Sequence, residues 1–154
     1  MTIRAPFQGR KTEIVAVDLE RALRLADDIP ATLRHFPGVR GVELIRPGVY
    51  LWKLGRLGPP AYKLPISFAT IFKVDRGAGL IAFEPAPDLG NASIGGKILI
   101  REHHPGSTEI IVSVKGELRV PPSRLFAPVV QTVVSREFSG IVKRTTANLK
   151  KALL

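Results

Sequence analysis

The sequence has 154 residues, of which 45% are hydrophobic and 23% are charged, and it contains no cysteine. This length suits a single domain over residues 1–154, and the apolar share excludes an intrinsically disordered chain. The absence of cysteine excludes a disulfide framework, a thiolate metal site and a cysteine nucleophile. Because the apolar runs are short and the first residues lack the pattern of a secretory signal, we expect a cytoplasmic protein with no integral membrane segment.

The charge is strongly basic, with 23 Lys and Arg residues against 13 Asp and Glu residues and a formal net charge of +10. Half of this excess lies in the last 34 residues, where Glu137 is the sole carboxylate and the basic residues are Arg124, Arg136, Lys143, Arg144, Lys150 and Lys151. Such a segment has three interpretations: a nucleic-acid surface, a contact with an anionic membrane, or a solvated helix face.

The N-terminal third predicts one strand followed by two short helices. The apolar residues 14–17 predict a short strand within residues 11–17. Asp18 comes just before an apolar stripe at helical spacing over residues 19–26 and is the expected N-cap. Pro30 is expected to open a second helix, which Pro37 and Gly38 end.

Residues 39–120 alternate between apolar and polar side chains, which predicts about six antiparallel strands with one face buried. Pro47-Gly48 and Pro105-Gly106 favour tight turns between neighbouring strands. After Pro121-Pro122 the period becomes helical, and a helix over residues 123–154 would be about 48 Å long. A helix of that length must cross the whole domain. We therefore infer an α+β fold, in which a curved antiparallel sheet of about 6–7 strands wraps around a long C-terminal helix.

This order of elements resembles the START-like superfamily, also called SRPBCC or helix-grip proteins, which includes polyketide cyclases and lipid-transfer domains. Residues 26–39, ending in His35-Phe36-Pro37-Gly38-Val39, resemble the family's segment between the short helices and the second strand. Gly106-Ser107-Thr108-Glu109-Ile110 is similar to its hairpin into the last strand. The resemblance covers nearly the whole chain. It implies a deep apolar cavity between the sheet and the terminal helix that holds a hydrophobic ligand.

Under this resemblance, aromatic and aliphatic side chains of the strands and the helix would line the cavity: Phe36, Tyr50, Trp52, Phe68, Phe72, Ile98, Val112, Val114, Val130, Val133, Val134 and Phe138. Ordinary core filling is the alternative role for the aromatic residues. His35, Tyr62 and Glu84 are the candidate polar contacts. Glu84 shares strand parity with Leu80 and Ala82, and a carboxylate facing an apolar cavity can serve as an acid or base. Its alternative role is that of a rim residue at a strand end.

No metal, cofactor or catalytic residue is predicted. His103 and His104 are adjacent on a strand or its turn, so their side chains point to opposite faces and are poorly placed to share a metal. Residues 91–98 resemble a phosphate loop, but Asn91 replaces its first glycine and Ile98 replaces its Ser or Thr.

Three functions remain open at this point. The leading hypothesis is non-enzymatic binding or transport of a hydrophobic small molecule or lipid. The second is an enzyme of the polyketide cyclase or aromatase type, which requires polar groups that converge inside the cavity. The third is a basic module that docks on RNA, the ribosome or an anionic membrane through the C-terminal helix.

Overall fold

The computed structural model describes residues 3–57, 64–120 and 130–154. Seven strands, two short helices, a 3₁₀ turn and one long helix follow one another in the order β1 (Ile3–Val15), α1 (Leu19–Leu23), the turn Arg24–Ala26, α2 (Ile29–Leu33), β2 (Val39–Arg46), β3 (Val49–Leu57), β4 (Leu64–Asp75), β5 (Leu80–Gly90), β6 (Ala92–His104), β7 (Ser107–Val120) and α3 (Val130–Leu153).

The strands form one antiparallel sheet in the order β1-β7-β6-β5-β4-β3-β2, which confirms the predicted α+β architecture. β1 pairs with β7, whereas the other pairs in the described sheet join strands that follow one another in sequence. β1 and β2 therefore form the two edges of the sheet. β1 differs from its prediction over residues 11–17, because it begins at Ile3 and ends at Val15. Pro6 and Gly9 interrupt the apolar alternation, yet an edge strand tolerates both.

The expected turns and the expected cap of α1 are present, and a second cap precedes α2. Gly48 and Gly106 have φ values of 77° and 78°, as a Pro-Gly type II turn requires, and they join β2 to β3 and β6 to β7. Asp18 caps α1 by accepting a hydrogen bond from the Arg21 backbone N–H at 2.8 Å. Asp28 caps α2 in the same way through Ala31, at 3.1 Å. These local signals place the short helices directly after β1.

Ionic contacts tie α1 and the 3₁₀ turn to the sheet. Arg76, between β4 and β5, donates to Glu20 Oε1 at 2.7 Å and to Asp27 Oδ1 at 2.8 Å. Hydrogen bonds to these two carboxylates raise the pKa of Arg76 above its ordinary value, so the guanidinium stays charged. Arg21 Nε donates to the Leu153 carbonyl oxygen at 2.7 Å, which joins α1 to the end of α3.

The long helix α3 packs against β1 and covers the inner face of the sheet. The rings of Phe7 and Phe138 stack with centroids 3.7 Å apart, and Lys150 Nζ lies 3.4 Å from Glu13 Oε2. The 24 residues of α3 span about 36 Å, and its predicted beginning at residue 123 lies outside the described residues. In the described ranges, no helix is both long and apolar enough to cross a membrane.

Candidate functional site

Five aromatic side chains form a cluster on the inner face of the sheet: Phe36, Trp52, Phe68, Phe72 and Phe83. Trp52 stacks on Phe68 with ring centroids 5.0 Å apart and lies 5.9 Å from Phe83. Phe36, which follows α2, meets the Trp52 ring edge-on at 5.2 Å. Geometries of this kind are favoured between aromatic rings, so this aromatic cluster is a closely packed part of the core.

A cavity of about 20 Å³ remains between the aromatic cluster and α3. Such a volume has room for roughly one water molecule. Its walls are apolar throughout and consist of Phe36, Trp52, Leu54, Phe68, Phe83, Ile94, Val114, Phe138, Ile141 and Val142. The described side chains therefore fill most of the space between the sheet and the helix.

The polar groups of this interior all have partners. Trp52 Nε1 donates to Thr70 Oγ1 at 2.8 Å. The hydroxyls of Thr145 and Thr146 donate to the carbonyl oxygens of Ile141 and Val142, each at 2.7 Å. Within the described part of the chain, no buried side-chain nitrogen or oxygen lacks a hydrogen bond. These hydrogen bonds stabilise the folded core.

The predicted lining residues fall into three groups. Phe36, Trp52, Phe68, Val114 and Phe138 line the cavity. Ile98 and Val112 are fully buried on the same face without lining it, while Tyr50 and Phe72 are partly buried and meet edge-on at 5.4 Å. The side chains of Val130, Val133 and Val134 lie outside the described residues. Contact between any of these residues and a ligand stays a prediction.

Five further lining residues were not predicted: Leu54, Phe83, Ile94, Ile141 and Val142. The signal for Ile94 was present, because it shares a strand face with Ile98 and Ile100. Ile141 and Val142 belong to the apolar stripe of α3. Phe83 was missed because residues 80–83 are all apolar, so alternation alone does not show which of them face inward.

Glu84 does not face the interior. Ile81 and Phe83 are the buried residues of this part of β5, so Leu80, Ala82 and Glu84 point to the outer face of the sheet. There the Glu84 side chain is 59% exposed, and its Oε1 lies 3.3 Å from Lys73 Nζ. The expectation of a carboxylate inside an apolar cavity is therefore wrong for this residue.

The other polar candidates are placed differently. His35 is partly exposed, and its backbone carbonyl accepts a hydrogen bond from Asn148 Nδ2 at 2.9 Å, which links the end of α2 to α3. Tyr62 lies outside the described residues. His103 and His104 are exposed at the end of β6, and no group of three metal-ligating side chains occurs among residues 3–57, 64–120 and 130–154.

By sequence, the chain matches no family model and no curated protein. By structure, it superimposes on a START superfamily protein from Mycobacterium smegmatis with a TM-score of 0.63 and 17% identity, covering 94% of this chain and 98% of that one. The chain has a START-like fold. This confirms the resemblance seen in the order of its elements.

Two further solved structures are also similar to this chain. The Zhui aromatase/cyclase from a Streptomyces species superimposes with a TM-score of 0.64 and 11% identity, covering 97% of this chain and 96% of that one. A protein from Thermus thermophilus gives a TM-score of 0.65 and 15% identity, with 94% and 98% covered. Similarity at this level establishes the START-like fold, whereas function depends on the residues of the site.

Proposed function

We propose that this chain binds a hydrophobic small molecule or lipid between the inner face of the sheet and α3. The observation that carries the proposal is the wall of ten side chains around the interior cavity, which contains no polar residue. Transfer of apolar ligand surface from water to such a wall contributes about 25 cal/mol per Å². Ile98, Val112, Tyr50 and Phe72 belong to the same hydrophobic core and are further proposed contacts, as are Val130, Val133 and Val134.

Ligand entry requires the interior to open, because a cavity of about 20 Å³ is far smaller than a typical ligand pocket of about 300–1,000 Å³. We expect Phe36 to move first. It lies in the short segment between α2 and β2 and contacts Trp52 and Phe83 only edge-on, at 5.2 and 6.5 Å. Displacement of its ring would enlarge the cavity beside Trp52 without breaking the sheet.

The same interior favours a carrier over an enzyme. Likeness to an aromatase/cyclase makes catalysis the alternative, and catalysis requires polar groups that reach the ligand. The Thr70 hydroxyl already accepts a hydrogen bond from Trp52, and Glu84 points away from the interior on the outer face of the sheet. If a turnover is found, Glu84→Gln and His35→Ala should leave it unchanged, and a large loss in either variant would assign that residue a catalytic role.

Trp52 provides a direct test, because it is the sole tryptophan and lines the cavity. We would titrate the delipidated protein with 1-bromodecane, whose bromine quenches tryptophan fluorescence on contact, and analyse extracts of the denatured protein by mass spectrometry. Saturable quenching is expected. Phe36→Ala should strengthen binding by opening the cavity, and Ile141→Phe should weaken it by filling the cavity. Val74→Ala, at an exposed valine, is the control.

Two results together would contradict the proposal. One is the absence of saturable quenching in both the unmodified protein and Phe36→Ala. The other is an extract that contains no apolar compound.

A second candidate function rests on the outward face of α3. Four exposed cations, Arg136, Lys143, Arg144 and Lys151, follow this face over about 22 Å. In the described ranges, none of the four forms an ion pair with a carboxylate. A polyanionic surface, of RNA or of an anionic membrane, would complement this row. Binding should then weaken steeply as salt rises, and a flat salt titration would remove this candidate.

A further inference from the structure

The outer face of the sheet carries a groove of about 870 Å³ across β1, β7, β6 and β5. Short residues form its floor: Ala82, Gly95 and Ser113. The strand register brings two of them to one level, because Ala82 pairs with Lys97 and Lys97 pairs with Ser113. The groove therefore arises where small side chains of adjacent strands lie next to one another.

A second depression of about 440 Å³ continues the groove along β1 and β7. The two share Gln8, Pro85, Gly95 and Lys115, and the second extends to Ser93 and Glu117. The combined groove is thus elongated. An elongated groove suits a chain-like or rod-like ligand better than a compact one.

Three exposed cations surround the floor: Arg10 on β1, Lys97 on β6 and Lys115 on β7. Ser113 pairs with both Arg10 and Lys97, so these two cations flank it in one row. Their Cα atoms are about 10 Å apart, which is two strand spacings. Lys115 lies two residues along β7 from Ser113. The long side chains of all three can therefore reach the space above Ser113.

No carboxylate among the described residues pairs with any of these three cations. The two carboxylates at the ends of the groove are paired with cations outside it, Glu84 with Lys73 at 3.3 Å and Glu117 with Arg4 at 3.9 Å. In the part of the chain that the structure describes, Arg10, Lys97 and Lys115 form no ion pair. An anion that entered the groove would meet three cations without displacing a carboxylate.

We propose that this groove binds an organic anion, with one carboxylate or phosphate group on an elongated apolar body. Its volume lies within the range of small-molecule sites, and the cations would hold the charged end. Leu80, Ala82 and Pro85 offer apolar surface for the body. Among the described residues of the lining, no aromatic ring is exposed for a nucleobase to stack on, since Phe83 is 3% and Phe7 6% exposed. The groove is concave, so the free anion fits it better than a flat bilayer.

Decyl phosphate and its neutral counterpart 1-decanol form a matched pair of probes. We expect decyl phosphate to shift the backbone amide resonances of Lys97, Ser113 and Lys115 in a saturable way, and 1-decanol to leave them unchanged. Lys97→Ser and Lys115→Ser should each weaken binding about threefold, as exposed charge pairs usually do. The double variant should weaken it about tenfold, and added salt should act in the same direction.

Three controls make the result specific. Lys53→Ser removes the same charge from an exposed position on β3 that does not line the groove, and it should leave decyl phosphate binding unchanged. Ser113→Phe fills the floor and should abolish binding. If that variant does not fold, the double lysine variant still decides, because both lysines are exposed. Binding of the protein to vesicles of phosphatidylglycerol and phosphatidylcholine tests whether the anion comes from a membrane.

Several outcomes would overturn the proposal. They are equal shifts of the Lys97, Ser113 and Lys115 resonances by 1-decanol and by decyl phosphate, resonance shifts confined to interior residues such as Phe68, and an unchanged affinity in the double lysine variant. Vesicle binding that depends on Lys97 and Lys115, without binding of free decyl phosphate, would also overturn it. The inference does not rest on the proposed interior site, whose readout is the fluorescence of Trp52, so either can fail alone.

Discussion

The two faces of the same four strands differ sharply in the space they leave. Inside, Phe83 and Val114 border a cavity of about 20 Å³. Outside, their neighbours Ala82 and Ser113 border a groove of about 870 Å³. Strand alternation places large side chains on one face and short ones on the other, so open volume appears where the side chains are short. The fold alone therefore does not say which face of the sheet takes a ligand.

Close packing inside also depends on a glycine. Gly96 lies on the inner face of β6, opposite Phe83 of β5. A Cβ atom at Gly96 would lie 2.9 Å from Phe83 Cζ and would overlap the Ser113 carbonyl oxygen. The missing side chain makes room for the Phe83 ring, whereas Gly95, its neighbour in sequence, lines the outer groove. Gly96 thus allows close packing on the inner face, whereas Gly95 deepens the groove on the outer face.

The largest expected effect is on the free energy of unfolding, when a side chain of the inner face is removed. Phe83→Ala removes a ring that contacts Trp52 and Phe72, and we expect the free energy of unfolding to fall by about 4 kcal/mol. Leu80→Ala on the outer face of the same strand should cost about 1 kcal/mol, because that residue is only partly buried. Urea denaturation measures both. Similar losses in the two variants would contradict the packing difference between the faces.

The approach of α3 to β1 should give the next largest effect. A Cβ atom at Gly9 would lie 3.1 Å from Val142 Cγ2, so Gly9→Val would push the helix away from the strand. We expect a loss of about 3 kcal/mol from this overpacking. Gln8→Val, one residue away on the outer face, is the matched control and should change stability little. A stable Gly9→Val protein would show that α3 can shift without cost.

Local signals were sufficient to predict most of the fold. Alternation, the Pro-Gly turns and the cap Asp18 depend on neighbours in sequence, and each is present in the structure. The beginning of β1, residues 3–10, was missed because Pro6 and Gly9 interrupt the apolar alternation there. There the close approach of α3, a contact distant in sequence, decides which residues fit.

The site was harder to predict than the fold, because it depends on size and register. Residues 80–83 are apolar on both faces of β5, so hydrophobicity did not reveal that Phe83 points inward and Glu84 outward. The outer groove needs Ala82, Lys97 and Ser113 at one level. That alignment follows from the pairing of three strands and leaves no pattern within any one of them.

Removal of the hydrogen bond between Thr70 and Trp52 in the aromatic cluster should lower the free energy of unfolding by a smaller amount. Thr70→Val keeps the shape of the side chain but leaves the Trp52 N–H buried without an acceptor, which we expect to cost about 2 kcal/mol. Thr145→Val on α3 is the matched control. Its hydroxyl bonds a carbonyl of its own helix, so its loss should cost about 0.5 kcal/mol. Urea denaturation and the emission maximum of Trp52 would check both, and equal costs would contradict the assigned role of Thr70.

The smallest effect is expected on the outer face, where charge can be removed without loss of packing. Lys97→Ser and Lys115→Ser should each change the free energy of unfolding by no more than about 0.5 kcal/mol, because both side chains are exposed and form no ion pair among the described residues. Both variants should still weaken decyl phosphate binding. A stability loss as large as that of Thr70→Val would mean that these lysines hold the sheet together. Unchanged stability with weakened binding would show that the two faces of these strands serve separate purposes, the inner face cohesion and the outer face recognition.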